Sequence, residues 1–160
     1  MIDLPKLLRL LTENKVEFII VGGVAAVIHG SSRLTQDLDV VYQHGPENLT
    51  RLVQALAEQS PYLRGAPPGL PFQWSVATLR MGLNFTLETS LGPLDLFGEI
   101  TGGGTYEELL RHTIEVDIFG VRCRCLDLPA LIGTKRAAGR PKDLEALAEL
   151  DVIREEQQEE

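Results

Sequence analysis

Residues 22–39 read GGVAAVIHGSSRLTQDLD. They follow Phe18-Ile19-Ile20-Val21, the end of a continuous apolar run over 17–21 that predicts a strand buried on both sides. The Gly22-Gly23 pair turns the chain into a short helix, AAVIH, which Gly30 closes, and 31–36 form a polar loop. Asp37 and Asp39 come next, at i and i+2 of a second strand over about 38–42. Side chains alternate along a strand, so both carboxylates point the same way, while Leu38 and Val40 face the core. Two acids fixed side by side repel each other and call for a cation. Mg²⁺ suits them, because it is usually held by one or two carboxylates together with substrate phosphates. A glycine turn beside a carboxylate pair therefore predicts a site for a nucleoside triphosphate.

The elements on either side predict one α/β domain. Asp3 caps a helix over about 4–14, with Leu4, Leu7, Leu8 and Leu11 on one face. Pro46 starts a helix through about Glu58, and residues 59–73, with four prolines and two glycines, form a long loop. Leu83–Thr89 and Gly92–Phe97 make a hairpin around Ser90-Leu91 or Gly92-Pro93. Gly102-Gly103-Gly104 form a flexible joint, and Thr105 with Glu108 is a capping box opening a helix over 106–112. A second hairpin, 114–119 and 121–126, turns at Gly120. Asp127 caps a helix over 128–138, Gly139 ends it, and Pro141 starts the last helix. The domain spans 1–154, and 155–160 form an acidic, frayed tail.

A buried-type strand, a Gly-Gly turn, a short helix, a loop and then Asp-Leu-Asp on a strand resemble the nucleotidyltransferase superfamily, which shares its fold with DNA polymerase beta. Here the motif is Val21-Gly22-Gly23 followed by Asp37-Leu38-Asp39-Val40. The resemblance implies a mixed-sheet core with helices packed on it and a third carboxylate on a neighbouring strand. Gly92-Pro93-Leu94-Asp95-Leu96-Phe97 supplies a single acid among apolar strand residues, where an unpaired carboxylate is costly unless it is paired or metal-bound. By resemblance, Asp37, Asp39 and Asp95 are the catalytic and metal-binding residues. Asp37 and Asp39 would bind Mg²⁺ on the triphosphate; Asp95 would help hold a second ion and activate the attacking hydroxyl. The Gly22 and Gly23 backbone amides would cradle phosphate. Ser31, Ser32, Arg33 and Thr35 either contact phosphates or sugar or form an ordinary polar loop, and Arg33 is the foremost of them.

The later segment Lys135-Arg136-Ala137-Ala138-Gly139-Arg140-Pro141-Lys142-Asp143 resembles the second motif of AbiEii-type nucleotidyltransferases, the toxin halves of certain toxin–antitoxin systems. Lys135 and Lys142 flank the helix break and can turn toward one anionic site, or they form a basic surface corner. Asp143 is either a first-turn helix acid or the holder of a basic neighbour. The motif's closing Asp is absent: position 146 is Ala. The resemblance implies transfer of a nucleoside monophosphate from an NTP to a hydroxyl on RNA or tRNA, a protein or a small molecule, with an antitoxin as partner. Two alternatives stand beside it. One is an aminoglycoside-type enzyme acting on a small molecule, and the other is a catalytically silent nucleotide-binding module.

Composition bounds these readings. The 160 residues are 44% hydrophobic and 24% charged, ordinary for a globular domain. The net charge of −8 argues against a broad basic surface for nucleic acid and suits a cationic acceptor. No apolar run approaches the roughly 20 residues of a membrane helix. MIDLPKLLRLL lacks the basic start and small-residue cleavage site of a signal peptide, so a cytoplasmic location is expected and no membrane partner. Cys123 and Cys125 share one face of a strand and read as small buried hydrophobes. Phe72 and Trp74 read as core or lid packing, and His29, His44 and His112 show no metal spacing.

Overall fold

The computed structural model describes residues 2–159. Helix α1 (Leu4–Glu13) starts where the Asp3 carboxylate accepts from Lys6 N, and it buries Leu7, Leu8 and Leu11. Strand β1 (Phe18–Val21) is buried along its whole length and runs straight into α2 (Gly22–Ile28). Strand β2 (Leu38–Tyr42) returns antiparallel to β1, with Val21 opposite Asp39. Pro46 opens α3 (Pro46–Leu56).

Strands β3 (Tyr62–Leu63), β4 (Phe85–Thr89) and β5 (Gly92–Phe97) extend the sheet on one side of β2. The two-residue turn between β4 and β5 is Ser90-Leu91, since Thr89 pairs with Gly92. Gly92 has φ +113°, and a side chain there would collide with the backbone of Ile2. Helix α4 (Val76–Met81), capped by Ser75, precedes β4. The short pair β6 (Glu99–Ile100) and β7 (Gly104–Thr105) follows β5. The capping box at Thr105 and Glu108 opens α5 (Tyr106–Leu109), which passes through a 3₁₀ turn into β8 (Thr113–Ile118). Strand β9 (Val121–Leu126) pairs antiparallel with β8 and parallel with β1. Helices α6 (Leu128–Ala138) and α7 (Pro141–Glu159) complete the chain.

The mixed sheet has the order β3-β4-β5-β2-β1-β9-β8. Helices α1, α3 and α4 pack in one group, and α2, α6 and α7 touch in another. The predicted mixed α/β architecture with a helical C-terminus is what forms. Four details differ from the sequence reading. The proline-rich 59–73 segment contains β3, too short to carry a periodic signal, and α4 falls in a stretch with no assigned element. The triple glycine is a built turn: Gly103 N bonds Ile100 O, and Gly104 opens β7. The last helix runs through Glu159, past residue 155 where fraying is expected, and residue 160 lies outside the described residues. Residues 155–159 are exposed, whereas Ile153, two residues earlier, still packs against the core.

Asn48 ties β1, β2 and α3 together. It is 2% exposed, its amide oxygen accepts from Glu17 N at 2.7 Å, and its NH₂ donates to Glu17 O and Gln43 O at 3.0 and 2.8 Å. Asn48→Ala leaves these backbone groups without partners where water has poor access. We expect it to lower unfolding free energy in urea by about 2–4 kcal/mol with little change in the slope of the transition.

Candidate active site

Two strand pairings assemble the acidic cluster. Strand β2 lies parallel to β5 with Asp39 directly opposite Asp95, and Asp37 stands immediately before β2. One carboxylate oxygen from each of Asp37, Asp39 and Asp95 lies within 4.8 Å of the other two. Separation by two residues puts Asp37 and Asp39 on one side, and the in-phase register adds Asp95 to it. The sheet thus brings together all three acids that the sequence singled out.

Burial, and then the charges of Asp37 and Asp95, push the Asp39 carboxyl up to about 7, and Lys142 opposes the shift. Asp39 Oδ1 is buried without a hydrogen-bond partner. Gly22, at φ +65°, lies against the same carboxylate, and a Cβ there would overlap Asp39 Oδ2. Only glycine admits both this backbone conformation and this approach. At Gly23 a Cβ would stand 2.9 Å from Thr35 Oγ1, and that hydroxyl donates to Asp37 O at 3.0 Å. The glycine pair and Thr35 therefore seat the loop that delivers Asp37. An all-oxygen donor set with a buried, unpartnered oxygen and no Cβ beside it suits a hard divalent cation such as Mg²⁺.

A cleft of about 380 Å³ opens beside Asp39. Its lining includes Gly22, Asn84, Glu99, Lys135, Arg140 and Asp143. Burial lowers the Lys135 ammonium pKa, and Asp143 and Asp39 partly restore it. Asp143 is 2% exposed; its Oδ2 accepts from Arg140 Nε at 2.7 Å and from Arg140 N at 3.2 Å. Burial alone would raise the Asp143 pKa, but these bonds hold it below the usual carboxylate range. Both roles open to Asp143 are met: it is the acid in the first turn of α7, and it holds its basic neighbour Arg140. Lys142 is exposed at the start of α7 and outside the cleft lining, although its charge reaches Asp39.

The polar loop is less directly engaged. Ser31 Oγ and Ser32 Oγ donate to Glu149 at 2.5 and 3.0 Å, and Arg33 pairs with Glu145 and Glu149. These side chains fasten the loop to α7, and Ser32 and Arg33 do not join the acidic cluster. The remaining residues have structural partners. Trp74 Nε1 donates to Val53 O, and Phe72 packs on the core. His29 bonds Leu126 O, and His44 bonds Leu79 O and Gly82 O. Cys123 and Cys125 are buried and free, and burial pushes their thiols up to about 11 and 12.

Arg64 is the charged residue that the sequence did not single out. It follows β3, and its Nη2 donates to Asp95 Oδ1 at 2.6 Å and to Leu87 O at 2.7 Å. Its place in a proline-rich segment gave no signal, because the two-residue strand that aims it exists only through pairing with β4.

The raised Asp39 pKa has a definite consequence for folding. A carboxyl near 3.8 in the unfolded chain and about 7 in the native one binds more protons when folded. Its contribution is fully present below pH 3.8 and is lost as pH rises to about 7. Asp39→Asn removes that loss. In metal-free buffer the variant should match wild type near pH 4 and exceed it at pH 8 by about 1–3 kcal/mol in urea unfolding.

The chain matches the family model described as a nucleotidyl transferase of unknown function, DUF2204, over residues 1–159. No curated protein matches it in sequence. Among solved structures, it is similar in fold to the lincosamide antibiotic adenylyltransferase LnuA in its lincomycin-bound crystal structure. The TM-score is 0.62 at 16% identity, over 94% of this chain and 95% of that one. It is also similar to ANT(2")-Ia in complex with adenylyl-2"-tobramycin, with a TM-score of 0.54 at 17% identity, over 98% of this chain and 95% of that one. Among the described residues, no helix is long and apolar enough to cross a membrane. Since the family model spans nearly all of a sequence whose strands converge on this acidic row, the chain belongs to that nucleotidyl transferase family.

Proposed function

We propose that the protein transfers a nucleoside monophosphate from an NTP to a hydroxyl of a small molecule, with release of pyrophosphate. The observation that carries this reading is the convergence of Asp37, Asp39 and Asp95 at the edge of a cleft whose other wall bears Lys135. Asp37 and Asp39 would hold Mg²⁺ on the triphosphate, and Asp95 would share a second ion. Such ions spread the charge developing on the transferred phosphoryl group and its leaving oxygens.

The chain's own groups would do the positioning. Backbone N–H groups of Gly22 and Gly23, in the uncapped first turn of α2, would cradle a phosphate. The Lys135 ammonium faces the acids across the cleft and would pair with phosphate oxygens as a point charge. Lys142 would add a more distant positive charge at the mouth. The Arg140–Asp143 pair fixes the break between α6 and α7, which sets where the two lysines stand. Asp95 would take the proton of the attacking hydroxyl. Ser31, Ser32 and Arg33 would act indirectly, by holding the loop before Asp37 against α7.

Three observations support a small acceptor. The cleft volume lies within the ~300–1,000 Å³ common for small-ligand sites. The net charge of −8 disfavours a polyanionic acceptor and favours a cationic one. The two antibiotic adenylyltransferases share the fold over nearly their full lengths. The toxin reading, with RNA or tRNA as acceptor and an antitoxin partner, is the competing outcome of the same assay.

Incubation with α-labelled NTPs, Mg²⁺ and parallel panels of amino sugars, lincosamides and total RNA tests this. Label on a small molecule, pyrophosphate release, and a fall of at least about 10³-fold in Asp39→Asn and Asp95→Asn are expected. Label confined to RNA would transfer the acceptor to the toxin reading, and NTP binding without turnover would mark a silent module.

A further inference from the structure

One cation outside the cleft lining reaches the acidic row from the β4 side. Four residues stand at one register level across the sheet. Asp39 is opposite Asp95, Asp95 is opposite Thr86, and the Arg64 backbone N–H bonds Thr86 O at 2.9 Å. Arg64 extends over Thr86 and meets Asp95 from the β4 side, while Asp39 flanks Asp95 from β2. Its Nη2 is shared between Asp95 Oδ1 and Leu87 O, at 2.6 and 2.7 Å. Arg64 Nε is buried, makes no hydrogen bond, and lies 3.7 Å from Glu88 Oε2. The pair is sheltered: the Arg64 side chain is 29% exposed and that of Asp95 16%. It therefore escapes much of the screening that makes surface ion pairs weak.

We propose that Arg64 is an internal counter-ion of Asp95 that opposes cation loading at the third carboxylate. In the metal-free protein the guanidinium holds Asp95 Oδ1 and offsets the repulsion among three clustered acids. A divalent ion drawing on Asp95 has to share that carboxylate with a fixed positive charge a few ångströms away. Like charges at such range in a half-buried site oppose each other by more than thermal energy. The guanidinium cannot lose its charge by deprotonation, so the opposition disappears only if the side chain leaves. Arg64 is thus a positioning residue. It fixes one oxygen of Asp95 and makes the Asp37–Asp39 pair the preferred seat of the first ion. The second ion enters when its own charge, with the triphosphate, outcompetes the guanidinium.

This inference rests on the divalent-cation reading of the acidic cluster, so its test reads cation binding directly. Mn²⁺ is titrated into the full-length protein without nucleotide at low ionic strength, and free Mn²⁺ is followed by electron paramagnetic resonance. Arg64→Gln should bind Mn²⁺ on the order of tenfold more tightly than wild type. In an Asp95→Asn background the same substitution should change binding less than about twofold, because the coupling runs through Asp95. Arg64→Gln affinity equal to or weaker than wild type overturns the proposal, as does equal tightening in both backgrounds. If thermal unfolding shows that Arg64→Gln does not fold, Arg64→Lys decides. Its ammonium ends one bond short of the Nη2 position that bonds Leu87 O and Asp95 Oδ1, so the hold on Asp95 loosens, binding should tighten about two- to threefold, and unchanged affinity overturns the proposal. Failure of wild type to bind Mn²⁺ in a way that Asp39→Asn abolishes defeats the cation reading itself and the inference with it. Binding by wild type that Arg64 variants leave unchanged defeats the inference alone.

Discussion

The parallel pairing of β2 with β5 sets two carboxylates side by side, Asp39 against Asp95, with Asp37 beside them. Clustered carboxylates repel one another, and much of the surrounding structure compensates for it. Burial and the neighbouring acids push the Asp39 carboxyl up to about 7. Gly22 brings backbone against the same carboxylate where a side chain could not fit. Lys135 faces it across the cleft, and Arg64 bonds Asp95 from the β4 side. The acids are affordable in the fold because the sheet supports them from behind: Leu38, Val40, Leu94 and Leu96 alternate with them and are 0–1% exposed.

Charge is distributed asymmetrically around this row. The cleft side carries Lys135, with Arg140 immobilised by Asp143 at the break between the last two helices. The sheet side carries Arg64, aimed by the pairing of β3 with β4. A triphosphate approaching through the cleft would meet one set of cations, and a metal ion on Asp95 would meet the other. The loop before Asp37 belongs to neither set. Its serines and Arg33 are bound to Glu149 and Glu145, so the long last helix serves as a brace for the segment that delivers the acids. That arrangement gives α7 a positional role along much of its length, in addition to the lysine at its start.

The parts of this site that are legible in sequence share one property: their information is local. A Gly-Gly pair after an apolar strand, acids at i and i+2, and an acid isolated in an apolar strand each constrain their own neighbours. Asp95 is the limiting case, since its strand can be read but its partner strand cannot. Ser32 and Arg33 show what nearness along the chain does not supply. Their place before Asp37 leaves phosphate contact and an ordinary polar loop both open, and Glu149, more than a hundred residues later, accepts the hydrogen bonds of Ser32 and pairs with Arg33. Arg64 carries no local signal at all, because β3 is two residues long and is defined only by its neighbour.

The sequence alone determined most of the helices and strands, the glycine turn, the Asp37–Asp39 pair and the helix break near Gly139, because periodicity, capping and turn chemistry act over a few residues, while the mixed sheet and the third acid followed from the resemblance these motifs carry. Tertiary structure decided the register that sets Asp39 opposite Asp95, the cleft shared by Asp39, Lys135 and Asp143, and the pairing of Arg64 with Asp95. Register and cross-sheet charge pairing depend on which strands become neighbours. That choice is made by burying the apolar face of the whole sheet at once, and no single segment carries it.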